Sequence, residues 1–172
     1  VFVSGCSLPV SPFQAPVKSK LLAKMERSGC SGVCPIFSLT IFFDGSVIYQ
    51  GEAHTVVSGG KEFSLTKGQL SRVRSAFTRK GFLIMSDQCC ECIDVSGAPS
   101  TRITYQGNGP YKSINRYHGC LNGWSRNLEN LEAEILKITG NLGYMFYHKV
   151  VLSTVVLDTS PTPGKSMQCC SP

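Results

Sequence analysis

Apolar residues recur along this chain with two different periods. Between Ile36 and Gln50 they alternate. Phe37, Leu39 and Ile41 share one face of an extended strand, and Ile36, Ser38, Thr40 and Phe42 share the other. The first face is the more uniformly apolar and is the core side. Asp44-Gly45 interrupts the alternation and predicts a hairpin turn of type I′, with positive φ at both residues. Leu21–Arg27 reads as a strand preceding this hairpin. Ala53–Val57 extends the sheet after it, and Ser58-Gly59-Gly60 turns the chain. Thr101–Gln106 and Tyr111–Tyr117 are two further strands around the turn Gly107-Asn108-Gly109-Pro110. Tyr144–Leu157 reads as a late strand.

The second period is helical. Thr66 is a good N-cap, Gln69 completes a capping box, and Leu65 and Leu70 stand at the positions of a hydrophobic staple. Leu70, Val73 and Phe77 form the buried stripe, Arg79 and Lys80 suit the negative end of the helix dipole, and Gly81 fits the left-handed residue that ends the helix. This predicts a helix over Thr66–Lys80. Trp124, Leu128, Leu131, Ile135 and Ile138 recur at four-three spacing and predict a second helix over about Ser125–Thr139, with Glu129, Glu132 and Glu134 on its wet side. The order is strands, helix, two strands, helix. Strands joined by tight turns are antiparallel, so the helices cover one face. The expected fold class is α+β: an antiparallel sheet of about four to six strands on two helices, a two-layer sandwich. Thr40, Gln50, Arg102, Lys112 and Arg116 are expected on the partly open face.

Composition adds compartment. At 42% hydrophobic and 16% charged residues the chain can bury a core. Its longest apolar run, about eight residues from Val150 to Leu157 and interrupted by Ser153 and Thr154, is far short of a bilayer span. A formal charge of +6 does not by itself imply nucleic acid. Nine cysteines in 172 residues point to an oxidising compartment or to metal. Val3-Ser4-Gly5-Cys6 resembles a bacterial lipobox, in which the cysteine carries the lipid, with Val1-Phe2-Val3 as the end of a signal core. An ordinary thiol at a frayed terminus is the alternative. Ser7 after a lipidated Cys6 is compatible with sorting to an outer membrane, as in Gram-negative lipoproteins. Pro9, Pro12 and Pro16 make the next stretch an extended tether. The expected organisation is signal remnant and tether over 1–20, an α+β domain over 21–140, and over 141–172 an extra strand and a mobile tail containing Cys169 and Cys170.

The stretch Cys30-Ser31-Gly32-Val33-Cys34-Pro35, followed by an apolar strand, Asp44-Gly45 and Tyr49-Gln50-Gly51, resembles the bacterial secreted and lipoprotein family catalogued as domain of unknown function 6438. The resemblance runs from about Leu21 to Gly140. Cys89, Cys90, Cys92 and Cys120 are not part of that signature. The family implies fold and compartment and carries no activity.

Cys30 and Cys34 admit three readings. A disulfide would close a short loop and fix the start of the first hairpin strand; this is preferred. A copper or redox pair is the second. Cys-x-x-x-Cys-Pro resembles the thiol motif of the Sco copper chaperones, His54 or His118 would complete it, and soft thiolates select Cu(I). In those proteins, however, the motif leads into a helix. Half of a zinc site completed by Cys89, Cys90 or Cys92 is third, its spacing irregular. For the cluster Asp87–Asp94, metal binding is weighed against a disulfide from Cys89, Cys90 or Cys92 to Cys120, and the disulfide is preferred. Neighbouring carboxylates would raise the thiol pKa values, which argues against reactive cysteines there. His54, His118 and His148 lie in unrelated segments without a triad pattern. Lys67, Arg72, Arg74, Arg79 and Lys80 make the first helix basic, read as a solvated face. The expected function is a non-catalytic envelope module that binds a protein or other envelope ligand, without metal or cofactor. It would be extracytoplasmic, touch the membrane only through its lipid anchor, and bind through the open sheet face or the Cys30–Cys34 edge. A copper-binding or thiol-redox protein is the alternative.

Overall fold

A computed structural model of the chain describes residues 19–85, 96–120 and 123–140. Its elements are β1 (Leu21–Arg27), β2 (Ile36–Phe42), β3 (Ser46–Ala53), β4 (Gly59–Ser64), α1 (Lys67–Arg79), a 3₁₀ turn (Phe82–Ile84), β5 (Ser100–Tyr105), β6 (Lys112–Tyr117) and α2 (Gly123–Ile138). The six strands form one antiparallel sheet in the order β4-β3-β2-β1-β5-β6. The fold is the expected α+β sandwich.

Strand register sorts the side chains into cross-strand rows. Ile114, Ile103, Met25, Leu39 and Tyr49 make one row of the inner face, and Tyr105, Ala23, Ile41, Val47 and Phe63 the next. Nearly all are buried, as apolar residues in phase with the pleat must be. Both helices lie over these rows: Phe77 of α1 and Ile135 of α2 line the same gap as Ala23, Met25, Leu39 and Ile41. Phe77 stacks on Tyr105 at 4.0 Å and meets Phe82 edge-on.

The capping box forms as expected: Thr66 Oγ1 accepts from the Gln69 backbone N–H, and the Gln69 side chain accepts from the Thr66 N–H at 2.9 Å. The Gln69 amide also donates to the Ile138 carbonyl at 3.0 Å, tying the start of α1 to the end of α2. Gly81 is left-handed, φ 67°, and ends α1.

Four expectations need correction. The β2–β3 turn is not type I′. It is a three-residue loop, Phe43-Asp44-Gly45, in which only Gly45 has positive φ, and Gly45 N–H donates to Phe42 O at 3.0 Å. The Asp44 carboxylate accepts from Ser46 N–H and Oγ, which holds Asp44 out of the left-handed region. Residues 54–58 do not extend the sheet; Gly59-Gly60 instead open β4. The 54–58 loop folds over side-chain-free Gly51, with the Val57 carbonyl accepting from Tyr49 OH at 3.3 Å and Thr55 Oγ1 at 2.9 Å. Trp124 is 42% exposed, not in the core stripe. Helix side chains lean toward the N-terminus, so a residue in the first turn points past the covered sheet. Lys112, Arg116 and Glu132 face inward. Lys112 and Arg116 are in phase with Ile114, Lys112 donates to the Leu83 and Met85 carbonyls, and Glu132 is 5% exposed. The expected late strand, Tyr144–Leu157, and the Cys169-Cys170 tail lie outside the described residues.

Candidate functional site

Two chemically distinct surfaces meet at one end of the sheet, where β1 finishes, β2 and β5 start and β6 finishes. The β1–β2 connection carries the Cys30–Cys34 disulfide, with a Cα separation of 5.7 Å. A backbone bond from Ser31 N–H to Gly97 O at 2.9 Å holds this loop against the segment before β5, and Ser28 exchanges bonds with Ser100. Gly97 has φ 78°, and a Cβ there would overlap the Ser31 side chain, so the approach needs glycine on both counts.

On the helix-free face lies a concavity of about 660 Å³ whose lining includes Lys24, Glu26, Ser38, Glu52, Arg102 and Asn115. Ser28 and Ile36, which bracket the disulfide loop, belong to the same lining. The open face and the Cys30–Cys34 edge, separate candidates in sequence, are therefore contiguous. Lys24 is engaged by Glu26 at 2.6 Å. Arg102, directly across from Glu26, is exposed and has no hydrogen-bond or ion-pair partner among the described residues. Strand-borne hydroxyl, amide and guanidinium groups on a rigid sheet make this a polar recognition surface. Among the described residues neither a histidine nor a cysteine belongs to its lining.

Beneath α2, the inner face ends in a polar row: Arg116, Thr101 and Arg27 are successive cross-strand neighbours. Arg116 donates Nε to Glu132 Oε1 at 2.7 Å and Nη2 to Oε2 at 3.2 Å, a bidentate pair with both side chains 7% exposed. His118 folds back over the row. Its Nε2 lies 2.8 Å from Thr101 Oγ1, and its Nδ1 lies 3.4 Å from Nη2 of both Arg27 and Arg116. Arg116 Nη2 also lies 3.2 Å from Nε2, and a guanidinium only donates, so one ring nitrogen must carry a lone pair to accept from the arginines. The ring is neutral in this arrangement. Burial first, then the charges of Arg116 and Arg27, push its pKa down to about 3. Burial also lowers the Arg27 pKa, opposed by Glu132. Arg27 Nε is buried without a hydrogen-bond partner.

The residues singled out in sequence fall as follows. Cys30 and Cys34 are joined to each other, so neither sulfur is a free thiolate in this state. Cys120 is buried and disulfide-bonded, its partner outside the described residues. Cys6, Cys89, Cys90, Cys92, Cys169, Cys170 and His148 also lie outside them. His54 is exposed in the 54–58 loop with φ 54°, whereas His118 is bound into the arginine row. Among the described residues no group of three or more His, Cys, Asp or Glu side chains is placed to hold a metal. The basic residues of α1 are dispersed: Arg79 pairs with Glu134, and Arg74 lies over the Phe43 ring at 5.3 Å. Sequence reasoning missed the inner-face row of Arg27, Thr101, Arg116 and Glu132. The signal was there, since Arg27 continues the Ala23–Met25 alternation.

The chain matches the family model described as Domain of unknown function (DUF6438) over residues 22–139, and it belongs to that family. No curated protein matches it.

Proposed function

We propose that this member of the family is a binding module of the cell envelope that works without catalysis, through the concavity beside the Cys30–Cys34 loop. The observation that carries the reading is the concavity itself: a polar, strand-built surface of about 660 Å³ with an arginine, Arg102, that has no partner among the described residues, and an edge stapled by a disulfide. Strands and a short covalent loop hold such donors in place before the ligand arrives, which reduces the ordering cost of binding. The disulfide supports an oxidising compartment, and the lipobox-like Val3-Ser4-Gly5-Cys6 supports a lipid anchor on Cys6. The partner is a protein or other envelope ligand with acidic and hydrogen-bonding groups to meet Arg102 and Asn115.

Two measurements test this. Expression of the full-length gene in a Gram-negative host should place lipid on Cys6 and none on Cys6→Ala; a cytosolic, unmodified product contradicts the anchor. A photo-crosslinking residue in place of Ser38 or Asn115 should capture a discrete envelope component in intact cells, and Arg102→Glu should abolish capture. The same residue in place of Arg126, exposed on α2, should capture nothing. Equal capture from both positions refutes the open-face site. Stoichiometric Cu(I) binding lost in Cys34→Ser and His118→Ala would replace this reading with a copper or thiol-redox one.

A further inference from the structure

The charged side chains in the lining of the concavity are Lys24, Glu26, Arg27, Glu52 and Arg102. Lys24 and Glu26 pair with each other at 2.6 Å. Arg27 meets the His118 ring, and the carboxylates of Glu132 and Glu129 act on it from α2. Glu52 and Arg102 are both exposed, and neither has a hydrogen-bond or ion-pair partner among the described residues. They stand on opposite sides of the lining, Arg102 on β5 and Glu52 on β3, with β1 and β2 between them. Phe37 pairs with Gly51 and Ile36 with Ala53, so Glu52 is the extra residue of a bulge and has no cross-strand neighbour on β2. Arg102 shares a row with Glu26, Ser38 and Gln50, and Glu52 lies two residues beyond Gln50. Three strand spacings and that offset put the two Cα atoms about 14–16 Å apart.

A polyanion would meet Arg102 but lay like charge on Glu52, and a polycation would do the reverse. A neutral saccharide would leave both charges unmatched. A ligand with one acidic and one basic group at that separation is complementary to both. In an extended peptide, residues four apart lie on one face and span about 13–14 Å. Between the two charges the lining offers the Ser38 hydroxyl, which can both donate and accept, and half-buried Ile36 for an apolar side chain. Resting on the reading of the concavity as the binding site, we propose that its ligand is an extended peptide segment that sets an acidic side chain on Arg102 and a basic one, about four residues away, on Glu52. The bulge on β3 is what frees Glu52 for that contact.

The probes are short capped peptides of serine, alanine and glycine that carry one aspartate and one lysine. In the first set the two charges are four residues apart, in either order. In the second they are adjacent. In the third a second aspartate replaces the lysine at the four-residue spacing. Each is titrated into the full isotope-labelled chain at neutral pH and low salt, while the Arg102 Nε–H and Ser38 amide signals are followed by NMR. Saturable shifts are expected with the four-residue spacing in one order or both. The adjacent pair should bind about tenfold or more weakly, the value of one charge-assisted hydrogen bond. Glu52→Lys, an exposed substitution, should exchange the preference, weakening the aspartate–lysine peptide by about tenfold and favouring the peptide with two aspartates. The proposal is overturned if neither order saturates, or if Glu52→Lys leaves the ranking of the peptides unchanged. Photo-crosslinking from Ser38 in cells keeps this apart from the site itself. Capture there with silent peptides overturns the peptide class and leaves the concavity as the site; no capture and no peptide binding overturns both.

Discussion

Replacing Glu132 by glutamine should be among the most damaging single changes in the domain. The carboxylate is 5% exposed and takes two hydrogen bonds from one buried guanidinium. Taking its charge away leaves Arg116 buried, 7% exposed, beside His118 and in the same row as Arg27. Breaking a buried pair in this way costs about 3–5 kcal/mol. The second arginine in the row places this case in the upper part of that range. For a domain of this size the loss corresponds to roughly 10–20 °C in Tm. The control is the double variant Arg116→Met, Glu132→Leu, which removes both charges and keeps apolar volume. It should lie within about 1 kcal/mol of the wild type, because paired charges contribute little over a packed apolar pair. Urea unfolding of the two variants, with the slope compared to wild type, measures both. A single variant that loses less than about 1 kcal/mol, or a double variant worse than the single, would refute the reasoning: the pair would not be behaving as a desolvated one.

Stability should also follow the protonation of His118. Its folded pKa, about 3, is below the unfolded value of about 6.5, so between these pH values the unfolded chain binds the extra proton. The contribution is full above pH ~6.5 and is lost as pH falls toward ~3, and His118→Asn should flatten this slope of Tm against pH relative to wild type. Gly51→Ala drives a methyl group into the Val57 carbonyl oxygen and should cost about 1–3 kcal/mol by thermal unfolding while releasing the 54–58 loop to proteolysis. Removing the Cys30–Cys34 bond by double serine substitution should cost roughly 2 kcal/mol or less, since a loop that short constrains little unfolded-state entropy. Cys120→Ser should cost about 2–4 kcal/mol by the same measurement, and a smaller loss there than in the Cys30/Cys34 double variant would reverse the expected ranking.

Where one physical signal dominated a segment, the sequence was read correctly. The alternation of Phe37, Leu39 and Ile41 and the Thr66–Gln69 box each had a single interpretation, and both are built as expected. Errors came where two signals competed. Asp44-Gly45 suggested a two-residue turn, but Ser46 offered the Asp44 carboxylate two donors and a longer turn resulted. Gly59-Gly60 suggested a break, but opposite Gly51 small residues let two backbones pair closely. The buried polar row was lost for a different reason. Charge was allowed to outvote position: Arg116 is in phase with Ile114, and Glu132 stands three residues before Ile135 and four after Leu128. Either residue alone looks like a surface group. Only pairing across the sheet–helix interface makes both tolerable in the interior, and that pairing joins residues that no local window contains together. The concavity was legible only as an open face, because its floor depends on which strands adjoin β1, and strand order is not written in local periodicity.

The cross-strand rows also show where the disulfide-bonded cysteines stand relative to the core. Two inner rows are apolar but for Lys112 at the end of one, and are covered by Phe77 and Ile135. They carry the hydrophobic stabilisation of the sandwich. The third begins Arg116-Thr101-Arg27 and continues to buried Phe37; its charged part must be desolvated, and the Arg116–Glu132 pair returns little beyond that cost. The charged part of this row lies where β1 and β6 finish and β5 starts. Cys30 follows Arg27 by three residues and Cys120 follows His118 by two, so covalent bonds begin just past the polar row on β1 and on β6. A fold selected for stability alone would have continued the apolar rows. This one keeps charges in its interior at the same end as its polar concavity. Glu26 and Arg27 on β1, like Thr101 and Arg102 on β5, are consecutive residues that send one side chain to each face. The backbone that positions the open-face donors is thus the backbone that the buried row holds in place. Movement of either strand end displaces both.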